Sequence, residues 1–146
     1  MTISFSQRLV LSVSVFLLAA CGKAGNEDSS GRRMLTTNDG TIEAQIGPIT
    51  SIALGEVDPD LIAEGEKLFR LRCTACHQLD DTSVGPPLGD ILVTRTPVYV
   101  LNMILNPTGM LENHPDAKAM LEEFAVPMAD LGISESEARA ILEYLR

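Results

Sequence analysis

The chain has no tryptophan, and only four phenylalanines and two tyrosines in 146 residues. So few aromatic side chains make a thin hydrophobic core, and small domains with thin cores usually depend on a staple, a metal or a large ligand. Three cysteines cannot build a disulfide framework. Basic residues are also scarce, 11 Lys and Arg against 20 Asp and Glu, for a net charge of -9, which argues against nucleic acid. The longest apolar run, Leu9 to Ala20, has 12 residues, too short for a membrane-spanning helix. A length of 146 residues suits one small domain and not two.

Within those limits the N-terminus is informative. Arg8 precedes the apolar run, which ends in Leu18-Ala19-Ala20-Cys21, the layout of a signal peptide with small residues at its end. This end resembles the lipobox of bacterial lipoproteins. The resemblance implies cleavage before Cys21 and lipid on its thiol and new amine; an ordinary secretory signal with a chance cysteine is the rival reading. Cleavage would remove residues 1–20 and with them one charge, that of Arg8, so the mature chain would carry -10 and would favour a basic patch on any protein partner. Residues 21–40 are polar, glycine-rich and aperiodic, and read as a flexible tether. Residues 41–55 hold Ile42, Ile46, Ile49, Ile52 and Leu54 around Gly47-Pro48, which suggests an extended arm lying against the domain.

From residue 56 onward helical signals dominate. Asp58-Pro59 is a cap followed by proline at the first helical position, and Leu61, Gly65, Leu68 and Phe69 share one face of a helix running to about Ala75. Thr96-Pro97 repeats the start signal before "VYVLNMIL", apolar nearly all round, until Asn106-Pro107 stops it. Pro115 opens a third helix. Ser134 and Glu137 form a capping box for the last, whose inner face is Ala138, Ile141, Leu142 and Leu145. With no long strand-period run, the expected class is all-α, with about four helices.

Against this background stands Cys73-Thr74-Ala75-Cys76-His77. A thioredoxin-like redox pair needs the motif at a helix N-terminus after a strand, where the thiol pKa is lowered, and here it follows a helix. A structural zinc site needs four ligands, and only His114 is left to join these three. Covalent haem attachment uses two thiols to add across the vinyl groups and the adjacent histidine to bind the iron. Export of the chain agrees with this, since the attachment is made outside the cytoplasm.

From Glu56 to Arg146 the chain resembles the class I c-type cytochromes, with the family's elements in order. "EGEKLFRLRCTACH" is similar to its first helix, with Gly65 and Phe69 at packing positions, and "AILEYLR" to its last, with Ile141 and Tyr144 facing them. "VGPPLG" resembles the turn whose proline carbonyl, here that of Pro86, accepts the second ring N–H of the haem histidine. The resemblance implies an all-α cytochrome c fold, one covalent haem c on Cys73 and Cys76, and iron held by His77 and Met128. Met128 lies between two helices where the family places its axial methionine. Met110, read as non-helical, and His114 are the other candidates for that position, while Met103 and Met120 read as core.

Two departures mark the chain. The stretch "NPTGMLENHPDAKAMLEEF" is longer than in the smallest members, and the tryptophan that serves the haem propionates is absent, with Arg95 and Tyr99 as possible donors. The reading is a lipid-anchored, non-enzymatic monohaem electron carrier on the periplasmic side of a bacterial membrane. It would run between an upstream quinol-oxidising complex and a terminal oxidase or reductase, without nucleic acid. The rivals are a haem gas sensor or haem enzyme subunit with an open distal site, and a thiol–disulfide lipoprotein.

Overall fold

The computed structural model describes residues 35–37 and 41–146; residues 1–34, with the signal peptide, Cys21, Met34 and most of the tether, lie outside the described residues. In chain order the elements are β1 (Leu35–Thr37), α1 (Glu43–Ile46), β2 (Ile52–Leu54), α2 (Pro59–Arg72), α3 (Ile91–Thr94), α4 (Pro97–Leu105), α5 (Pro107–Asn113), α6 (Pro115–Phe124) and α7 (Glu135–Tyr144). The fold is all-α as expected, with seven helices among the described residues where about four were read.

Of the three extra helices, α1 and α3 are single turns without side-chain caps, and α5 comes from caps that serve two helices. Asn106-Pro107 does stop α4, but the Asn106 side chain also accepts the Gly109 N–H at 3.1 Å and starts α5. His114-Pro115 likewise closes α5 and caps α6. In both places proline occupies the first turn, where its missing N–H costs nothing. The other start signals hold: Asp58 accepts the Asp60 N–H at 2.9 Å, Thr96 the Tyr99 N–H at 3.0 Å, and the Ser134–Glu137 capping box is complete. The first helix ends at Arg72 rather than near Ala75, which leaves the Cys-x-x-Cys-His segment in a turn.

Helices α2 and α7 cross at Gly65. A Cβ there would collide with the Ala140 carbonyl oxygen and come within 2.6 Å of its carbon. Glycine therefore sets how closely the two axes approach. Just beyond the crossing the Phe69 and Tyr144 rings meet with centroids 5.5 Å apart, tilted by 50°. Ile141 and Leu142 of α7 are almost fully buried. Helix α4 is buried from Val98 to Asn102, in keeping with its all-round apolar sequence.

The arm departs from expectation. It holds one helical turn, α1, and β2 pairs antiparallel with β1, whose three residues fall in the stretch read as tether. The organiser is Asn102, an amide fully buried in α4. Its Nδ2 donates to the carbonyls of Glu43 at 2.7 Å and Ile49 at 2.9 Å, and its Oδ1 accepts the Ile49 N–H at 2.9 Å. Asn106 adds a bond to the Ile46 carbonyl at 3.0 Å. The amide thus bonds backbone groups of the arm on both sides of Gly47-Pro48, which holds the arm in a bent, partly helical path.

Candidate functional site

The Cys-x-x-Cys-His turn grows directly from the end of α2. The Phe69 carbonyl accepts from Cys73 at 2.8 Å and from Thr74 at 3.2 Å, and the Cys73 carbonyl accepts from Cys76 at 3.0 Å and from His77 at 2.9 Å. The Thr74 hydroxyl donates back to the Arg70 carbonyl at 2.8 Å. Both thiols are free, Cys73 half-buried and Cys76 exposed. Burial pushes the Cys73 thiol above its ordinary pKa despite the nearby Arg72 charge. A redox-active thiol is helped by the opposite shift, which this turn does not supply at Cys73.

His77 is fixed from one side. Its Nδ1–H donates to the Pro86 carbonyl at 2.9 Å. A carbonyl can only accept, so Nδ1 carries the proton and the Nε2 lone pair is left for a metal. The loop that brings Pro86 there is held by the Gly85 N–H on the Cys76 carbonyl at 2.8 Å, and by Leu88 and Gly89 on the carbonyls of Gln78 and Leu79 at 3.0 and 2.8 Å. Gly85 is required by contact: a Cβ would stand 2.5 Å from His77 Cε1. An imidazole whose Nδ1 proton is committed to Pro86, two adjacent thiols and a glycine clearing the ring form a donor set that fits covalent haem.

Met128 lies in a non-helical stretch between α6 and α7, and its side chain is half-buried. Ala125, in the left-handed conformation with φ 56°, closes α6 through its N–H on Leu121. At the other end Gly132, φ 62°, turns the chain into α7 while its N–H bonds Asp130 at 2.9 Å. Val126 and Leu131 on this stretch, and Val84 beside Gly85, leave apolar side chains exposed. Met110 was read as non-helical; it lies within α5 and is fully buried in the core, because Asn106 starts a helix the sequence pattern hid. Met103 and Met120 are half-buried helical residues, and Met103 packs against the core.

His114 is also committed elsewhere, by a cluster the sequence did not reveal. Its Nδ1 accepts the Asp116 N–H at 3.2 Å as the α6 cap, so Nε2 carries the proton and faces Glu43 Oε2 at 3.5 Å. Both side chains are less than a tenth exposed. Glu43 Oε1 accepts from the Thr96 hydroxyl at 2.7 Å. The Tyr99 ring meets His114 edge-on at 4.9 Å, and Arg95 lies 5.4 Å over Tyr99 while pairing with Asp116 at 3.5 Å. Arg95 and Tyr99, read as propionate donors, thus find their partners inside this cluster.

Burial alone would raise the Glu43 pKa, but the Thr96 hydroxyl, backbone donors and His114 together hold it below the usual carboxylate value. The stability it contributes is therefore present above that usual value and is lost as the pH falls through the lowered one. Glu43→Gln is expected to cost about 1–2 kcal/mol at pH 7 through weakened hydrogen bonds. The gap from the parent should close on acidification. Urea titrations from pH 7 to pH 3 would measure it; a gap that stays constant with pH would show that the carboxylate charge is irrelevant.

With the geometry in place, the chain can be set beside known proteins. The cytochrome c family model matches residues 62–146. A cytochrome c from Rhodothermus marinus is 48% identical, with 70% of this chain and 90% of that one covered and a TM-score of 0.69. An engineered cytochrome c from the same organism is 47% identical over the same shares, with a TM-score of 0.69. A further engineered form, bound to a carbene intermediate, is also 47% identical at 70% and 90% coverage, with a TM-score of 0.66. No curated protein matches significantly.

Proposed function

The chain belongs to the cytochrome c family and is accordingly a monohaem c-type electron carrier with one covalently bound haem c, and from that premise we propose that it serves respiratory complexes at the outer face of a bacterial membrane. Cys73 and Cys76 would hold the haem through their thiols, and His77 and Met128 would bind its iron. The haem supplies the one-electron chemistry; the protein sets its potential and its docking. The observation that carries this reading is the His77–Pro86 hydrogen bond at 2.9 Å, which commits Nδ1 and leaves Nε2 to face an iron beside two free thiols. By fixing the tautomer and orientation, Pro86 also raises the basicity of the ligand nitrogen.

The respiratory setting rests on the exported, lipobox-like start and the acidic balance. The donor is a quinol-oxidising complex upstream and the acceptor a terminal oxidase or reductase. A mature chain of -10 meets a basic rim on such partners, and exposed charges attract over a Debye length of about 8 Å at physiological salt. Electron-transfer rates against a basic redox partner are expected to fall steadily as salt rises. A flat or rising profile would mean that the charge serves solubility alone.

The anchor is lipid on Cys21, a reading supported by the lipobox-like Leu18-Ala19-Ala20-Cys21 that ends the apolar run. Cys21→Ser is expected to move the protein from the membrane to the soluble fraction with its haem spectrum unchanged. Several acyl chains are needed for stable retention, because one binds only marginally. A variant that stays with the membrane would show that something other than this cysteine holds it.

A further inference from the structure

The segment that carries Met128 is tied to the helix that carries the attachment motif. Arg72 is the last residue of α2 and the immediate neighbour of Cys73. Its Nη2 donates to the Leu131 carbonyl at 3.2 Å, three residues past Met128. One side chain therefore joins the end of α2 to the methionine stretch, at a residue just before the buried Ile133.

The stretch needs such a tie. From Ala125 to Leu131 every side chain except that of Met128 is exposed, so packing restrains this part weakly. Its ends are set by the left-handed Ala125 and by Ile133, which is buried just ahead of the Ser134 cap. The Asp130–Gly132 bond is internal and shapes the turn without fastening it. A segment held mainly at its ends opens locally at low cost unless something grips it between them.

We propose that Arg72 is a positioning residue for the distal ligand: through the Leu131 carbonyl it restrains the 126–131 stretch that would bring Met128 to the haem iron. This rests on the reading that Met128 is that ligand. The bond from sulfur to iron must break before an external ligand can bind, so the opening frequency of this stretch sets how fast carbon monoxide reaches ferrous haem. The guanidinium lowers that frequency while touching neither sulfur nor iron.

The test uses the full haem-loaded protein and the variants Arg72→Gln, Arg72→Lys and Met128→Ala. Arg72→Gln should speed carbon monoxide binding to the ferrous form by about three- to tenfold, the range expected for loss of one modest hydrogen bond. Its methionine–ferric charge-transfer band should disappear at lower urea than in the parent, while the helical circular dichroism transition shifts less. A purely structural role would move both transitions together. Arg72→Lys keeps a donor and the charge and should fall between the parent and Arg72→Gln. An Arg72→Gln protein with parental binding rate and band midpoint would overturn the proposal. So would equal shifts of the two transitions, or a lysine variant as fast as the glutamine one. Failure of the ligand reading shows itself differently, since the band would then survive Met128→Ala, and the Arg72 proposal would fall with it.

Discussion

Met128→Ala is expected to abolish the weak near-infrared charge-transfer band of methionine-ligated ferric haem and to open the iron to carbon monoxide in the ferrous state. The thioether is a soft ligand that favours ferrous iron, so its loss should lower the potential by roughly 100 mV or more, at about 59 mV per tenfold change in one-electron preference. Met128 is the described methionine outside the helices, in a stretch bounded by the left-handed Ala125 and the Gly132 turn. Met110→Ala and His114→Ala make the contrast. Met110 lies fully buried in α5, and both ring nitrogens of His114 are occupied by Asp116 and Glu43. Those variants should lose stability and keep the band. If Met110→Ala removes it while Met128→Ala does not, the ligand is Met110, and a parent protein without the band would point to His114. A parent protein that already binds carbon monoxide readily would instead favour the gas-sensor or haem-enzyme reading.

Gly65→Ala should show the second large effect, with a sign opposite to helix propensity. In an exposed helix interior this change stabilises by about 1 kcal/mol. Here the new methyl group would press on the carbonyl of Ala140 and lie 2.9 Å from the Tyr144 Cβ. Backbone cannot rotate away as a flexible side chain can, so α2 and α7 must move apart. The Phe69–Tyr144 contact, at a centroid separation of 5.5 Å, would loosen with them. Overpacking of this kind typically costs 1–3 kcal/mol, and forcing apart two backbones places the loss at about 3 kcal/mol or more. That is a large fraction of an ordinary domain's stability. Urea midpoints of the haem-loaded proteins would measure it. An alanine variant as stable as the parent would mean that the helices can slide at little cost.

The chemistry of this protein was legible in a short stretch of sequence because its signals are local. Cys73, Cys76 and His77 are neighbours in one turn, and thiols and imidazole at that spacing admit few uses. Caps are local too, so Asp58, Thr96 and Ser134 marked three helix starts correctly. The Asn106-Pro107 and His114-Pro115 pairs were harder, because the same residues that stop one helix can begin another. Met110 was misplaced for that reason.

What the order of residues could not disclose are the partnerships across long separations. Nothing near Asn102 in sequence says that its amide will serve Glu43 and Ile49, 59 and 53 positions away. Nothing near Glu43 announces His114, and Arg72 carries no local sign of the Leu131 carbonyl. Sequence alone determined the all-α class, the cap-defined helices and the attachment motif, since each depends on spacing within a turn or two. Only the tertiary structure decided the path of the arm, the burial of the Glu43–His114 pair and the tether on the methionine stretch. Each of these is a polar group meeting its one available partner after the chain has closed, and closure depends on the whole core rather than on any segment of it.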